Sequence, residues 1–510
     1  MTEPWWKTAV IYQVYPRSFA DADGDGVGDL RGLIDQLDHL AWLGVDAVWL
    51  SPIFRSPMAD FGYDVADYCD VDPVFGTLAD ADDLIASAHE RGMKVLLDWV
   101  PNHSSDQHPW FVESRSGPAS PKRDWYVWRD SGPDGGPPNN WRAAFSDAPA
   151  WTFDPASGQW YLHLFLPEQP DLNWGNPEVV EAMHGTLRFW LDRGVDGFRA
   201  DVIHAIGKDP ALPDDPPELR AEFPHASLND DPRTHELLRG LRSLIDSYDG
   251  DRMMVGEVYL LDTAKVATYY GDSDELHLSF NFPPLYTSWK ATSWGRRLTE
   301  VSTLLGPRDA WPTWVLSNHD NVRHRSRYGS EARARAAAVL LLGLRGTPFL
   351  YAGEELGLED AEVPVDRVVD PGGRDGCRAP VPWTRADGHG WGPSPWLPFP
   401  PDAAARSVEA LREDKESILW LYRRLLAARR ASVALTVGDQ DVLLAPDGVL
   451  CWLRSSGDDR RVVAVNFGAV PASLYLDGEW DVEVASDGAG ESLLFGGSLP
   501  GDTAVVLRPA

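Results

Sequence analysis

Val195-Asp196-Gly197-Phe198-Arg199-Ala200-Asp201, continued by Val202-Ile203, decides how the rest of the chain is read. It is a short apolar run ending on an arginine and an aspartate two positions apart. Residues i and i+2 of a strand point to the same side, so Arg199 and Asp201 are expected to project together. A neighbouring guanidinium keeps a carboxylate ionised, which suits a nucleophile at neutral pH. Taken alone, the pair reads better as a structural salt bridge at a strand end. Its surroundings change that reading.

Glu178–Arg193 is patterned as a helix and closes on Gly194, which feeds the strand. The same alternation runs along most of the chain. Val10–Tyr15, Asp46–Leu50, Met93–Trp99, Met253–Glu257, Leu276–Phe280, Thr313–Ser317 and Pro348–Tyr351 read as further strands. Asp29–Leu43 reads as a helix with Leu30, Leu33, Leu37 and Leu40 on one face, and another runs from Ala79 to Gly92. About eight strand–helix units predict an α/β fold, a closed (β/α)8 TIM barrel. A doubly wound sheet is the alternative, disfavoured by the number of units and the lack of a Gly-rich dinucleotide turn.

The barrel is expected to occupy residues 1–102 and 175–430. Residues 103–174, rich in loops and tryptophan, read as a subdomain inserted after the third strand. A Pro/Gly/Trp-rich insertion, 357–401, follows the eighth. After a helix over Glu416–Arg430 the pattern changes to short alternating strands such as Val449–Leu453 and Val462–Val465. Residues 431–510 therefore predict a C-terminal all-β domain, a β-sandwich.

With 46 Lys and Arg against 78 Asp and Glu, the formal charge is −32. This argues against nucleic acid or an anionic membrane as partner and for a neutral or cationic ligand. The 23 Trp, 15 Tyr and 17 Phe offer stacking surfaces for sugar faces as well as core. The three cysteines, Cys69, Cys377 and Cys451, match no metal spacing and are odd in number, so a reducing compartment is expected. Met1–Lys7 shows no basic segment followed by an apolar core, and the longest apolar run, near Ala336–Leu344, is too short to span a bilayer. A cytoplasmic monomer or homodimer is the expectation.

In such a barrel the site lies at the carboxyl ends of the strands. Those ends carry Asp98 and Asn102-His103, then Arg199 and Asp201, then Glu257, then His319-Asp320. Each carboxylate alone reads as structural; the set does not. Two carboxyl groups of unlike environment are what glycosidic bond cleavage requires. Asp201 suits the ionised role. Glu257, closing the apolar run Met253-Met254-Val255-Gly256, suits the protonated one, because desolvation raises a carboxyl pKa.

Four ordered motifs carry a family resemblance: Asp98-Trp99-Val100-Pro101-Asn102-His103, Gly197-Phe198-Arg199-Ala200-Asp201, Val255-Gly256-Glu257 and Ser317-Asn318-His319-Asp320. The chain resembles the α-amylase superfamily of retaining glycoside hydrolases nearly end to end. The resemblance implies a double displacement with Asp201 as nucleophile, Glu257 as general acid/base and Asp320 stabilising the distorted sugar. It implies that His103, His319 and Arg199 bind sugar hydroxyls and orient the nucleophile.

Finer features resemble the α-glucosidase and oligo-1,6-glucosidase branch. Gln169-Pro170-Asp171-Leu172-Asn173 is similar to a motif of that branch. Gly62-Tyr63-Asp64 resembles the segment whose aspartate grips the terminal glucose while its tyrosine stacks on it. Gly373-Arg374-Asp375-Gly376-Cys377-Arg378-Ala379-Pro380 resembles the segment whose second arginine pairs with that aspartate. An Asp64–Arg378 pair would wall off a pocket behind one glucose, making the activity exo. Phe145 and Phe165 are candidates for further aromatic walls. In relatives, valine at Val202 goes with α-1,6 preference; the bland reading is a strand valine.

Asp21-Ala22-Asp23-Gly24-Asp25-Gly26-Val27-Gly28-Asp29 alternates carboxylates with small residues, like the start of a calcium loop. Gly32 stands where an EF-hand would need its final glutamate. Relatives carry calcium, or sometimes magnesium, here, and a structural ion held by Asp21, Asp23, Asp25, the Val27 carbonyl and Asp29 is expected. The substrates expected are short α-glucosides such as maltose, isomaltose or sucrose. Rival readings are a glucosyltransferase or isomerase on sucrose or maltose, and a non-catalytic barrel acting as an interaction module. A secreted endo-acting amylase is disfavoured by the missing signal and the Asp64/Arg378 stopper.

Overall fold

In the computed structural model, which describes residues 3–146, 148–216, 228 and 230–510, eight short strands form one parallel sheet. They are β1 (Ile11–Val14), β2 (Ala47–Leu50), β3 (Lys94–Trp99), β4 (Gly197–Ala200), β5 (Met253–Gly256), β6 (Leu278–Ser279), β7 (Thr313–Val315) and β8 (Thr347–Tyr351). Their order is β6-β5-β4-β3-β2-β1-β8-β7. Between the two ends of that order a side chain bridges. The Thr313 hydroxyl donates to Ser279 O at 2.8 Å and accepts from Asn281 N–H at 3.1 Å.

The strands are nearly wholly buried, as a parallel sheet covered by crossover helices demands. Alternate residues serve two cores. Ile11, Trp49, Leu96, Met253, Val255 and Phe349 fill the barrel interior. Tyr12, Val48, Leu97, Phe198 and Met254 pack outward against helices, including the Leu30, Leu33, Leu37 and Leu40 face. That helix, Leu30–Leu43, starts where the Asp29 carboxylate caps Gly32 N–H and stops at Gly44, whose φ of 101° suits glycine. The expected barrel strands and helices are all present, with ends shifted by a residue or two.

Register fixes the height of the strand ends. Asp98 pairs with Arg199 across β3 and β4, and Ala200 with Gly256 across β4 and β5. Asp201 N–H then bonds Trp99 O, and Glu257 N–H bonds Ala200 O, both at 2.8 Å. The chemistry-bearing residues therefore emerge at one level.

The excursion after β3 carries a three-stranded antiparallel sheet of Trp128–Arg129, Gln159–Leu162 and Trp151–Asp154. Its core is completed by Ala205, Leu212 and Leu228, which follow β4. Trp141 Nε1–H ties the two segments by donating to Pro213 O at 2.9 Å.

At the C-terminal end, Asp439–Leu443, Val449–Ser456, Asp459–Asn466, Ala504–Pro509 and Trp480–Ala485 form an antiparallel sheet in that order. The expected sandwich is lopsided. One face, with Trp452, Val463 and Val506, merges with the barrel's outer core. The other is covered by loops and a two-stranded ribbon, Ala472–Ser473 with Ser498–Leu499. A full second sheet is unnecessary because barrel helices already cover half the apolar surface.

Candidate active site

Arg199, 2% exposed, is the hub of the strand ends. Its Nη1 donates to Asp98 at 2.8 Å and Asp201 at 2.6 Å, while Nη2 donates to Glu257 at 2.6 Å. Glu257 Oε2 also accepts Val202 N–H at 3.0 Å. One guanidinium thus serves three carboxyl groups. The consequence differs from what the Arg199–Asp201 pair alone predicts. Burial pushes the Asp201 carboxyl well above its ordinary range; Arg199 opposes this, but Glu257 and Asp98 add to the rise. Asp98 is pushed up to about 7 by burial, against the pull of Arg199. With a single cation shared three ways, a proton held within the cluster relieves the repulsion.

Asp320 sits in the opposite environment. Its Oδ1 accepts from Arg374 at 2.9 Å and Arg378 at 3.1 Å, and Oδ2 lies 3.3 Å from His319 Nε2. Burial pushes this carboxyl up, yet His319 and the two arginines outweigh it and hold it well below the usual range. Both site histidines are kept neutral by burial, His319 lowered to about 3 and His103 to about 4. The Tyr63 hydroxyl lies 3.0 Å from Asp98 and 2.5 Å from His319 Nε2.

Above this floor opens a cavity of about 510 Å³. Phe145 and Phe165, ring centroids 5.6 Å apart, wall one side. At the mouth the Tyr259 and Tyr286 hydroxyls meet at 2.9 Å, and both rings are about half exposed. The blind end is closed by Arg374 Nη2, which donates to Asp60 at 2.6 Å. Burial lifts Asp60 to about 6 although Arg374 and Arg378 pull it down.

That closure corrects the Asp64–Arg378 expectation. The Asp64 carboxylate turns back on its own loop and accepts from Ser56 Oγ at 2.8 Å, Ala59 N–H at 2.9 Å and Asp60 N–H at 3.0 Å. Phe61 and Gly62, with φ of 45° and 109°, reverse the chain between the two aspartates. Asp64 therefore shapes the loop, and Asp60 faces the cavity. Arg378 is spent on Asp320 and on Asp370, the latter at 3.2 Å. The two segments were legible in the sequence; which aspartate and which arginine meet was not. Asp60, Arg374, Tyr259 and Tyr286 are among the cavity residues that sequence reasoning missed.

Val202 is not a strand residue. It lies just past β4 with φ 43° and ψ 35°, a left-handed conformation that is strained for a β-branched side chain. The turn carries its side chain to the cavity wall and its N–H to Glu257. Gln169 and Asp171 bind the excursion to the barrel. Gln169 Nε2 donates to Asp60 at 3.2 Å, and Asp171 pairs with Lys208 at 3.0 Å and accepts from Asn102 at 3.2 Å.

Away from the cavity, Asp21, Asp23 and Asp29 bring carboxylate oxygens within 4.8 Å of one another, a donor set that fits a hard cation. Asp25 lies outside this group, its Oδ1 accepting Val27 N–H at 2.8 Å. Asp21 Oδ2 also accepts Gly392 N–H at 2.9 Å, so the loop braces the second insertion.

Residues 13–438 match the family described as alpha amylase, catalytic domain. A probable alpha-glucosidase of Rhizobium meliloti is 43% identical, covering 92% of this chain and 91% of its own. An oligo-1,6-glucosidase of Parageobacillus thermoglucosidasius is 37% identical, covering 92% of this chain and 91% of its own. Among solved structures, the alpha-glucosyl transfer enzyme XgtA superposes with a TM-score of 0.93 at 41% identity, covering 100% of both chains. The trehalulose synthase MutB of Pseudomonas mesoacidophila gives a TM-score of 0.93 at 33% identity, again covering 100% of both. Since the matched stretch begins in β1 and ends beyond the last barrel helix, enclosing every residue that builds the cavity, the chain belongs to the α-amylase family.

Proposed function

We propose that this protein is a retaining, exo-acting α-glucosidase that releases glucose from the non-reducing end of short α-1,4 or α-1,6 glucosides. The observation that carries the proposal is the placement of the Asp201 and Glu257 carboxyls on adjacent nitrogens of one guanidinium, at the floor of a blind cavity. Carboxyl groups this close suit retention, in which no water must fit between them at the first step. Asp201 attacks the anomeric carbon as Glu257 gives a proton to the leaving oxygen. Water then opens the glucosyl ester with Glu257 as base. The proton shared in the resting cluster is the one transferred, and Asp320, held ionised, faces the developing positive charge. His103 and His319 remain neutral and so serve as hydrogen-bond partners for sugar hydroxyls. The Asp60–Arg374 closure leaves room for a chain end only.

The test is turnover of p-nitrophenyl α-glucoside, maltose and isomaltose by the parent and by Asp201→Ala. The parent should release α-glucose, and the variant should lose at least about 10⁴-fold in kcat. Comparable turnover by the two would overturn the reading.

A second reading, glucosyl transfer to another sugar, uses the same ester and differs only in what attacks it. It draws support from the likeness to the transfer enzyme and to trehalulose synthase, and from the aromatic mouth at Tyr259 and Tyr286, which can retain a leaving sugar. Hydrolysis in ¹⁸O water separates the two by the label found in the product. For the aspartate loop we favour a structural calcium ion held by Asp21, Asp23 and Asp29, with magnesium as the alternative. A cytoplasmic location is consistent with three free cysteines. No described helix is long and apolar enough to cross a membrane.

A further inference from the structure

Gln13 points inward from β1 and is 1% exposed. Its Nε2 lies 2.7 Å from His319 Nδ1 and 3.2 Å from Ser51 Oγ, so both amide hydrogens have acceptors. Gln13 Oε1 meets no protein donor. The reverse amide orientation would bury two unpartnered N–H groups in place of one unpartnered oxygen, the costlier choice. Nδ1 of His319 is therefore the acceptor nitrogen of the ring. A neutral imidazole carries one donor and one acceptor, which puts the hydrogen on Nε2.

The far side of the ring agrees. Nε2 faces the Tyr63 hydroxyl at 2.5 Å and Asp320 Oδ2 at 3.3 Å. The Tyr63 hydroxyl in turn lies 3.0 Å from Asp98 Oδ2. With hydrogen on Nε2, every link has one donor and one acceptor: amide to Nδ1, Nε2–H to the phenol oxygen, phenol O–H to Asp98, and Arg199 to Asp98. With hydrogen on Nδ1, two donors would face each other at 2.7 Å. The ring itself cannot turn, because the Tyr15 and Tyr63 rings lie parallel to it within 21° and 7°.

We propose that Gln13 is a positioning residue that fixes His319 as the Nε2–H tautomer, aligning the chain from β1 through Tyr63 to the Asp98–Arg199 hub. Gln13 is not among the residues that line the cavity. The inference rests on the proposed role of this floor in binding a glucosyl unit, but the tautomer is a property of the resting protein. The two therefore fail separately.

The experiment is nitrogen-15 NMR of the full chain labelled at histidine, with the His319 signals assigned by their loss in His319→Asn. The parent should show a protonated Nε2 and an unprotonated Nδ1 at neutral pH. Gln13→Glu, which offers Nδ1 only an acceptor, should move the hydrogen to Nδ1 or charge the ring. It should also lower kcat/KM on p-nitrophenyl α-glucoside about ten-fold or more, the worth of one buried hydrogen bond. Gln13→Met should lower kcat/KM similarly. A parent His319 protonated on Nδ1 would overturn the proposal even if neither variant folds. So would a Gln13→Glu variant with parental nitrogen shifts and an unchanged pH profile.

Discussion

Asp60 and Arg374 meet at 2.6 Å across the back of the cavity from positions 314 residues apart. One belongs to the loop after β2, the other to the insertion after β8. Arg374 is held by further charges: its Nη2 also donates to Asp370 at 2.7 Å, and its Nη1 donates to Asp320 at 2.9 Å. The far wall of the site is thus one arm of the network that keeps Asp320 ionised.

Removing Asp60 takes one of the three carboxylate partners of Arg374 and opens the back wall, which puts the loss near the lower end of the about 2–5 kcal/mol typical of a truncated buried charge pair. Asp60→Ala should lower kcat/KM for maltose by more than about 30-fold. Asp64→Asn, whose side chain only shapes the loop, should cost stability more than selectivity. Kinetics on maltose and maltotriose, with melting curves, distinguish the two. Equal loss of kcat/KM at equal stability would contradict the assignment of Asp60 to the cavity.

Val202 lines the cavity and its backbone N–H holds Glu257. Val202→Thr alters the side chain at the cavity wall while preserving the backbone N–H that holds Glu257. The isomaltose-to-maltose ratio of kcat/KM should fall by about ten-fold, the scale of one methyl-sized contact. Should the ratio stay put, the side chain plays no part in linkage choice.

His39 offers a pH test remote from catalysis. It is buried between Trp42 and Trp383, and neither ring nitrogen has a protein partner. Burial drives its pKa from 6.5 down to about 3. A depressed histidine binds its proton in the unfolded chain first, so its stabilising contribution is full above pH 6.5 and is lost as pH falls toward 3. Between pH 7 and pH 5 the parent should lose about 2 kcal/mol relative to His39→Phe, measured by urea unfolding at both pH values. A constant difference would mean the ring is already charged or solvated in the folded protein.

Dialysis against chelator should lower the melting temperature, and added calcium should restore it. A site filled at a hundred times its Kd contributes about 2.7 kcal/mol. Asp21→Asn combined with Asp23→Asn should abolish the response to calcium while leaving the catalytic groups in place. Loss of activity at low temperature without loss of structure would instead place the ion in the chemistry.

The barrel and the carboxyl groups at its strand ends were largely legible in the amino-acid sequence. Parallel strands sealed on both faces are written as apolar runs, and Asp201 and Glu257, just past their runs, fall at the same rim; Asp320, five residues beyond β7, took its expected role from the family motif. Phe145 and Phe165, candidate walls only by their position in the family resemblance, line the cavity. What the sequence left undetermined has a common cause: it depends on how a loop turns or how many charges share a partner. A reversal at Phe61-Gly62 exchanges Asp64 for Asp60. Burial, reinforced by Glu257 and Asp98, which share Arg199 with it, pushes up the Asp201 carboxyl that was expected to be ionised. The left-handed turn at Val202 takes it off the strand. Local pattern determined which elements form and where they end, because burial is periodic along the chain. Only the tertiary structure decided which charges meet, because Coulomb interactions and desolvation depend on separations that join residues hundreds of positions apart.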